Sequence, residues 1–79
     1  MRVDKFLKNA RLIKRRSVSK AACDGGRVDI NGREAKAGTK VKVGDHVTIR
    51  FGDGERTVEV LSLLEHVPKD KAQELYKEL

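Results

Sequence analysis

The chain is short, basic and rich in charge: 79 residues hold 18 lysines and arginines against 12 aspartates and glutamates, for a net charge of +6. This length allows one small domain and argues against a deep enclosed active site, because so short a chain buries only a modest share of its surface. No apolar run approaches the roughly 18 residues of a membrane span, and one cysteine excludes an internal disulfide. We therefore expect a soluble cytoplasmic monomer without a signal peptide.

Apolar residues at helical spacing predict an amphipathic helix at the N-terminus. They lie at i, i+3, i+4 and i+7, and they are Val3, Phe6, Leu7 and Ala10. Asp4 falls in the first turn, where a carboxylate interacts favourably with the helix dipole.

A second helix is predicted from Ser17, a residue type that commonly caps helix N-termini, to a stop at Gly25 and Gly26. Its small apolar face would consist of Val18, Ala21 and Ala22. The adjacent apolar residues of the preceding connection are expected to tuck that connection onto the core; they are Leu12 and Ile13.

After Gly26 the pattern changes to the short alternating segments that are typical of strands. Asn31 and Gly32 form a strong hairpin signal, and a Gly-Asp-Gly turn follows at residues 52–54. The apolar residues that define the strands are Val28 and Ile30, then Val47, Ile49 and Phe51, then Val58 and Val60.

A helical stripe from Pro68 onward predicts a C-terminal helix, with Ala72, Leu75, Tyr76 and Leu79 on one face. The order of elements predicts an α+β fold. In it, two N-terminal helices pack on a mostly antiparallel sheet of four or five short strands. We expect a domain at residues 1–64 and a helical extension at residues 65–79.

The positive charge is concentrated in the first twenty residues, which carry a net +7 because Asp4 is their only anion. The other 59 residues carry a net −1. A field so localised favours a polyanionic partner, and the backbone N–H groups at the second helix start favour a phosphate. The eight candidate contact residues are Arg2, Lys5, Lys8, Arg11, Lys14, Arg15, Arg16 and Lys20.

The three aromatic residues argue against recognition by base stacking, since Phe6 and Phe51 lie on predicted apolar faces. Recognition of the shape and phosphates of a duplex fits better, and the chain lacks zinc-finger ligands. Arg27 and Arg33 would extend such a surface. Binding to a membrane surface is the weaker alternative, because the short apolar stripe is needed for the core.

Four motifs in order resemble the S-four RNA-binding domain, which is named after the fourth small-subunit ribosomal protein. They are RVDKFL at 2–7, RLIKRRS at 11–17, GRVDING at 26–32 and VKVGD at 41–45, and the resemblance covers roughly residues 1–60. It implies the alpha-L RNA-binding motif. The chain is most similar to small stand-alone bacterial members of ribosome quality control, which are related to a fifteen-kilodalton heat-shock protein.

The resemblance implies a partner and a role. Such proteins bind obstructed large ribosomal subunits that carry peptidyl-tRNA, and they contact large-subunit rRNA and P-site tRNA. They support C-terminal alanine tailing of the stalled chain by a factor that delivers alanyl-tRNA. Arg2 and Arg16 match the principal RNA-contact arginines, the other six cations match the same basic face, and Asp4 matches a structural aspartate that pairs with a neighbouring arginine.

Three alternatives stay open. One is a heat-shock-type factor that recycles free large subunits with stalled nascent chains. Another is the RNA-binding subunit of an RNA-modification enzyme, and the third is a generic basic module for duplex RNA or DNA. Only about 19 residues follow residue 60, without an acid/base constellation, so we expect neither catalysis nor a cofactor.

Several reactive residue types are expected to be structural. Cys23 is interpreted as a small buried hydrophobe. His46 and His66 lack partners at metal-ligand spacing, so no metal site is predicted. Asp45 and Asp53 fall in turns, where aspartate is expected.

Overall fold

Two short helices and a five-stranded antiparallel sheet form the fold in the computed structural model, which describes residues 1–65 and 67–79. The strand order is β2-β1-β3-β4-β5, with every neighbouring pair antiparallel. The α+β prediction is confirmed. The elements are α1 (Val3–Asn9), α2 (Arg16–Asp24), β1 (Val28–Ile30), β2 (Arg33–Glu34), β3 (His46–Phe51), β4 (Gly54–Val60), a 3-10 helix (Lys69–Leu75) and β5 (Tyr76–Glu78).

The core lies between α1 and one face of the sheet. The predicted stripe of α1 is confirmed, because all four of its residues are buried. The sheet contributes alternate residues of its strands, as expected where one face of a pleated strand is covered. The sheet residues of the core are Val28, Val47, Ile49, Val58 and Val60.

The hairpin between β1 and β2 follows the predicted Asn-Gly turn. Both Asn31 (φ 53°) and Gly32 (φ 83°) adopt positive φ, as a two-residue turn of this kind requires. The Asn31 side chain accepts a hydrogen bond from the His46 backbone N–H and donates one to the Asp45 carboxylate. Asp45 also accepts from the Lys42 backbone N–H, so its buried carboxylate organises the turn.

Helix α2 differs from the prediction in both its start and its buried face. It begins at Arg16, with Arg15 in the N-cap position and no side-chain cap, so the predicted Ser17 cap is wrong. The buried residues are Ser19 and Cys23, whereas Val18 is 51% exposed. The cause is tertiary: the Ser19 hydroxyl donates a 2.8 Å hydrogen bond to the backbone carbonyl of Asp4, which turns this face toward α1.

The connection between the helices starts at Arg11, whose φ of 57° lies in the left-handed region. The chain reverses there, and the backbone N–H groups of Leu12 and Ile13 both donate to the Leu7 carbonyl. Ile13 is buried in the core and Leu12 packs partly against it, as the adjacent apolar pair predicted.

Phe51 ends β3 outside the core, contrary to the prediction. It is 48% exposed, although Val47 and Ile49 of the same strand are buried. Phe51 pairs with Gly54 at the tip of the β3–β4 hairpin. Strand alternation therefore gives Phe51 the inward face, but the strand has already passed the part of the sheet that the helices cover.

The C-terminal segment combines a 3-10 helix with a strand. Ala72 and Leu75 are buried as predicted, but Tyr76 begins β5 instead of continuing the helical stripe. This strand gives the backbone groups of β4 hydrogen-bonding partners that an edge strand would lack. Arg56 also contacts the Glu78 carboxylate at 2.7 Å across this strand pair. The division at residue 64 stays a prediction.

We expect Leu75→Ala to lower the free energy of unfolding by about 2–5 kcal/mol, because it removes buried methyl groups that hold the C-terminal segment on the sheet. Leu79→Ala is the matched control, since Leu79 is exposed and its loss should cost at most about 0.5 kcal/mol. Urea denaturation followed by circular dichroism measures both. Equal losses in the two variants would show that Leu75 does not anchor the segment.

Candidate nucleic-acid interface

A buried carboxylate joins the two arginines that the family resemblance ranks first. Asp4 is only 1% exposed, and Arg2 contacts both of its oxygens at 3.1 Å. Arg16 approaches the same carboxylate from α2, with Nε 3.3 Å from Oδ2. One carboxylate therefore holds guanidinium groups from two separate elements.

The backbone around this cluster is fixed from three sides. Arg2 is extended and forms a bridge with Lys40, so that the N-terminus runs antiparallel to the loop at residues 37–41. The Val3 N–H donates to the Thr39 carbonyl at 2.8 Å. Asp4 lies in the first turn of α1, and its carbonyl accepts from Ser19 of α2. The cluster thus sits where the N-terminus, α1 and α2 meet.

The charges of the cluster leave a net positive surface. Burial alone raises the pKa of Asp4, but the hydrogen bonds from Arg16 and Arg2 outweigh it and hold that pKa below its usual value. The carboxylate is therefore ionised at neutral pH. The arginine side chains stay 44% and 47% exposed, so N–H donors of each planar fork remain available for an external anion.

Three other predicted cations lie along α1 and its end. Lys5 forms a 2.9 Å ion pair with Glu65, which compensates its charge at the surface. Lys8 and Arg11 come together as part of the lining of a depression of about 390 Å³, beside Asn9 and the segment around Pro68. The Nδ2 atom of Asn9 is buried and has no hydrogen-bond partner among the described residues.

The remaining three predicted cations are exposed. Lys14 and Arg15 lie in the connection between the helices, and Lys20 follows Arg16 by one turn of α2. In the part of the chain that the structure describes, none of these three forms an ion pair. They add uncompensated charge before Arg16 and one turn after it.

One further cation joins this end of the molecule and was absent from the candidate set. Lys40 is exposed and pairs with Arg2 through the backbone bridge. Local sequence patterns gave no signal for Lys40, because it comes next to Arg2 only when the loop at residues 37–41 packs along the N-terminus.

The reactive residue types in question are the cysteine and the histidines. Cys23 is buried, and burial raises the pKa of its thiol to about 11, with smaller contributions from Asp4 and Asp24. His46 is exposed beside Glu59, whereas His66 lies outside the described residues. Across residues 1–65 and 67–79, no group of three His, Cys, Asp or Glu side chains is arranged to hold a metal ion. No helix in these ranges has the length and apolar character needed to cross a bilayer.

The sequence is similar to known proteins over nearly the full length of the chain. The S4 domain family matches residues 1–47. A protein of Halalkalibacterium halodurans named RQC P-site tRNA stabilizing factor is 53% identical over 77 residues, which cover 98% of this chain and 88% of that protein. A Bacillus subtilis protein of the same name is 50% identical over 76 residues, covering 96% of this chain and 88% of that protein.

A solved structure supports the same fold. The trimeric structure of Vibrio cholerae heat shock protein 15 superposes with a TM-score of 0.90 at 35% sequence identity. The superposition covers all of this chain and 81% of that one.

We expect Asp4→Asn to lower the free energy of unfolding by about 1.5–3 kcal/mol at neutral pH, because it removes the charged acceptor of two arginines. The folded-state pKa of Asp4 is depressed, so the carboxylate stabilises the fold above its ordinary pKa. That contribution is lost as the pH falls through the folded-state pKa. Urea denaturation at a series of pH values should show the wild-type advantage shrinking in acid; a constant advantage would contradict this assignment.

Proposed function

The chain belongs to the S4 domain family, and on that premise we propose that it is a non-catalytic RNA-binding factor of ribosome quality control. The observation that carries the proposal is the pair of half-exposed arginines that one buried carboxylate orients within a segment of net charge +7. The names of its relatives from Halalkalibacterium halodurans and Bacillus subtilis support the same role.

The mechanism we propose is stabilisation of one RNA arrangement. Arg2 and Arg16 each bind phosphate oxygens with a planar fork, and Asp4 keeps both forks oriented before the RNA arrives. The surrounding lysines and arginines neutralise further phosphates and release counterions, so binding should weaken steeply with salt. Exposed cations on more than one element allow the protein to contact two RNA molecules at once.

The partner we propose is the large ribosomal subunit that still carries peptidyl-tRNA. The protein would contact large-subunit rRNA and the P-site tRNA, act in the cytoplasm as a monomer, and support alanine tailing by a factor that delivers alanyl-tRNA. We assign RNA binding to residues 1–64 and treat residues 65–79 as an extension that completes the sheet through β5.

A second candidate is a heat-shock-type role in recycling free large subunits with stalled nascent chains. The high structural similarity to Vibrio cholerae heat shock protein 15 favours it. A reconstituted tailing reaction separates the two roles: omission of the protein should reduce alanine tailing under the first proposal and leave it unchanged under the second.

Co-sedimentation through a sucrose cushion tests the partner. The protein should pellet with large subunits that carry peptidyl-tRNA, and less with empty large subunits or small subunits. Equal recovery with small subunits, or full displacement by bulk duplex DNA at the same salt, would contradict the proposal.

We expect Arg2→Ala and Arg16→Ala each to weaken binding to these subunits. Each should also lower the slope of log affinity against log salt concentration by about 1, the value for one lost phosphate contact. Lys77→Ala is the charge-matched control, because Lys77 is an exposed cation on β5, outside the N-terminal segment. Circular dichroism checks that all three variants are folded. Wild-type affinity in both arginine variants would refute the assigned contacts.

A further inference from the structure

An apolar groove lies between α2 and the end of β3, and RNA binding through phosphates does not use it. It encloses about 360 Å³. Leu12 of the connection lines one side together with Val18 and Ala22 of α2, and Phe51 lines the strand side. Val18 and Phe51 are 51% and 48% exposed, so two large apolar side chains face solvent within one depression.

The groove lies across α2 from the cations Arg16 and Lys20. At about 100° per residue, Ser19 and Cys23 form the buried line of this helix, and Arg16 and Lys20 lie on one flank of it. Val18 and Ala22 lie on the opposite flank. An RNA that is bound over the exposed side of α2 therefore meets phosphate-binding cations on one flank and the apolar groove on the other.

The charges that line the groove indicate what kind of group it takes. Among the described residues, Arg27 and Arg50 are the charged ones that line it, and no carboxylate does. Arg50 is engaged by Asp29 at 2.7 Å and by the Gly26 carbonyl, so its charge is compensated. Arg27 is exposed and forms no ion pair within the described residues, which leaves it available for an anion. A flat apolar wall beside an uncompensated arginine complements a nucleobase joined to its phosphate.

We propose that this groove binds one unpaired nucleobase of the RNA, which stacks on Phe51 while Arg27 binds the adjacent phosphate. The proposal rests on the proposed RNA-binding function and adds a base contact to a surface otherwise suited to phosphates. Aromatic stacking tolerates any base, so the site selects an unpaired nucleotide and not a sequence.

The test uses a short RNA duplex with one bulged nucleotide and the same duplex fully paired. Wild-type protein should bind the bulged duplex about tenfold more tightly, the scale of one base stacked on an aromatic ring. Phe51→Ala should abolish this preference while it keeps the affinity for the paired duplex and the salt dependence. Phe51→Trp should retain the preference, because a flat ring remains.

Two controls separate this proposal from the proposed function. Arg16→Ala should weaken binding to both duplexes to the same degree, since Arg16 contacts phosphate. Val43→Ala, which truncates an exposed apolar residue outside the groove, should keep the bulge preference. A bulge preference that survives Phe51→Ala, or is absent in the wild type, would overturn the base site and leave the phosphate surface intact. A wild-type protein that binds neither duplex would also overturn the base site, whereas the proposed function is tested separately by co-sedimentation with large subunits.

Discussion

One buried carboxylate, Asp4, connects the fold of this protein to its proposed interface. Moving a charge out of water costs free energy unless the charge is paired, and Asp4 is paired with the guanidinium groups of Arg2 and Arg16. Its backbone carbonyl also accepts the Ser19 hydroxyl, so the same residue docks α2 onto α1. The orientation of α2, the exposure of Arg16 and the position of Val18 in the groove all follow from this docking.

In the proposed function, this arrangement lets a small domain bind RNA at its surface. An arginine side chain in solution loses much conformational freedom when it binds a phosphate. Asp4 restricts Arg2 and Arg16 before binding, at the cost of neutralising one positive charge. The unpaired cations nearby restore the attraction, and the family membership and the names of the relatives direct the proposal toward ribosomal RNA and tRNA.

Features that depend on local pattern could be predicted from the sequence, and features that depend on tertiary contacts could not. The α1 stripe and the Asn31-Gly32 turn are local, and both predictions are confirmed. The buried face of α2 depends on the Ser19 bond to α1, and the exposure of Phe51 depends on where the helices stop covering the sheet. The basic segment could be predicted from the charges in the sequence. The ion pair that compensates Lys5 could not, because its partner Glu65 lies 60 positions away in the sequence.

A double-mutant cycle tests whether Asp4 acts on RNA binding through the arginines it holds. Affinity for large subunits carrying peptidyl-tRNA would be measured for wild type, Asp4→Asn, Arg16→Ala and the double variant, each checked for folding. If Asp4 acts through Arg16, Asp4→Asn weakens binding in the wild-type background and has a much smaller effect once Arg16 is absent. Losses that simply add in the double variant would show that Asp4 and Arg16 act independently, and that Asp4 does not act on RNA binding through Arg16.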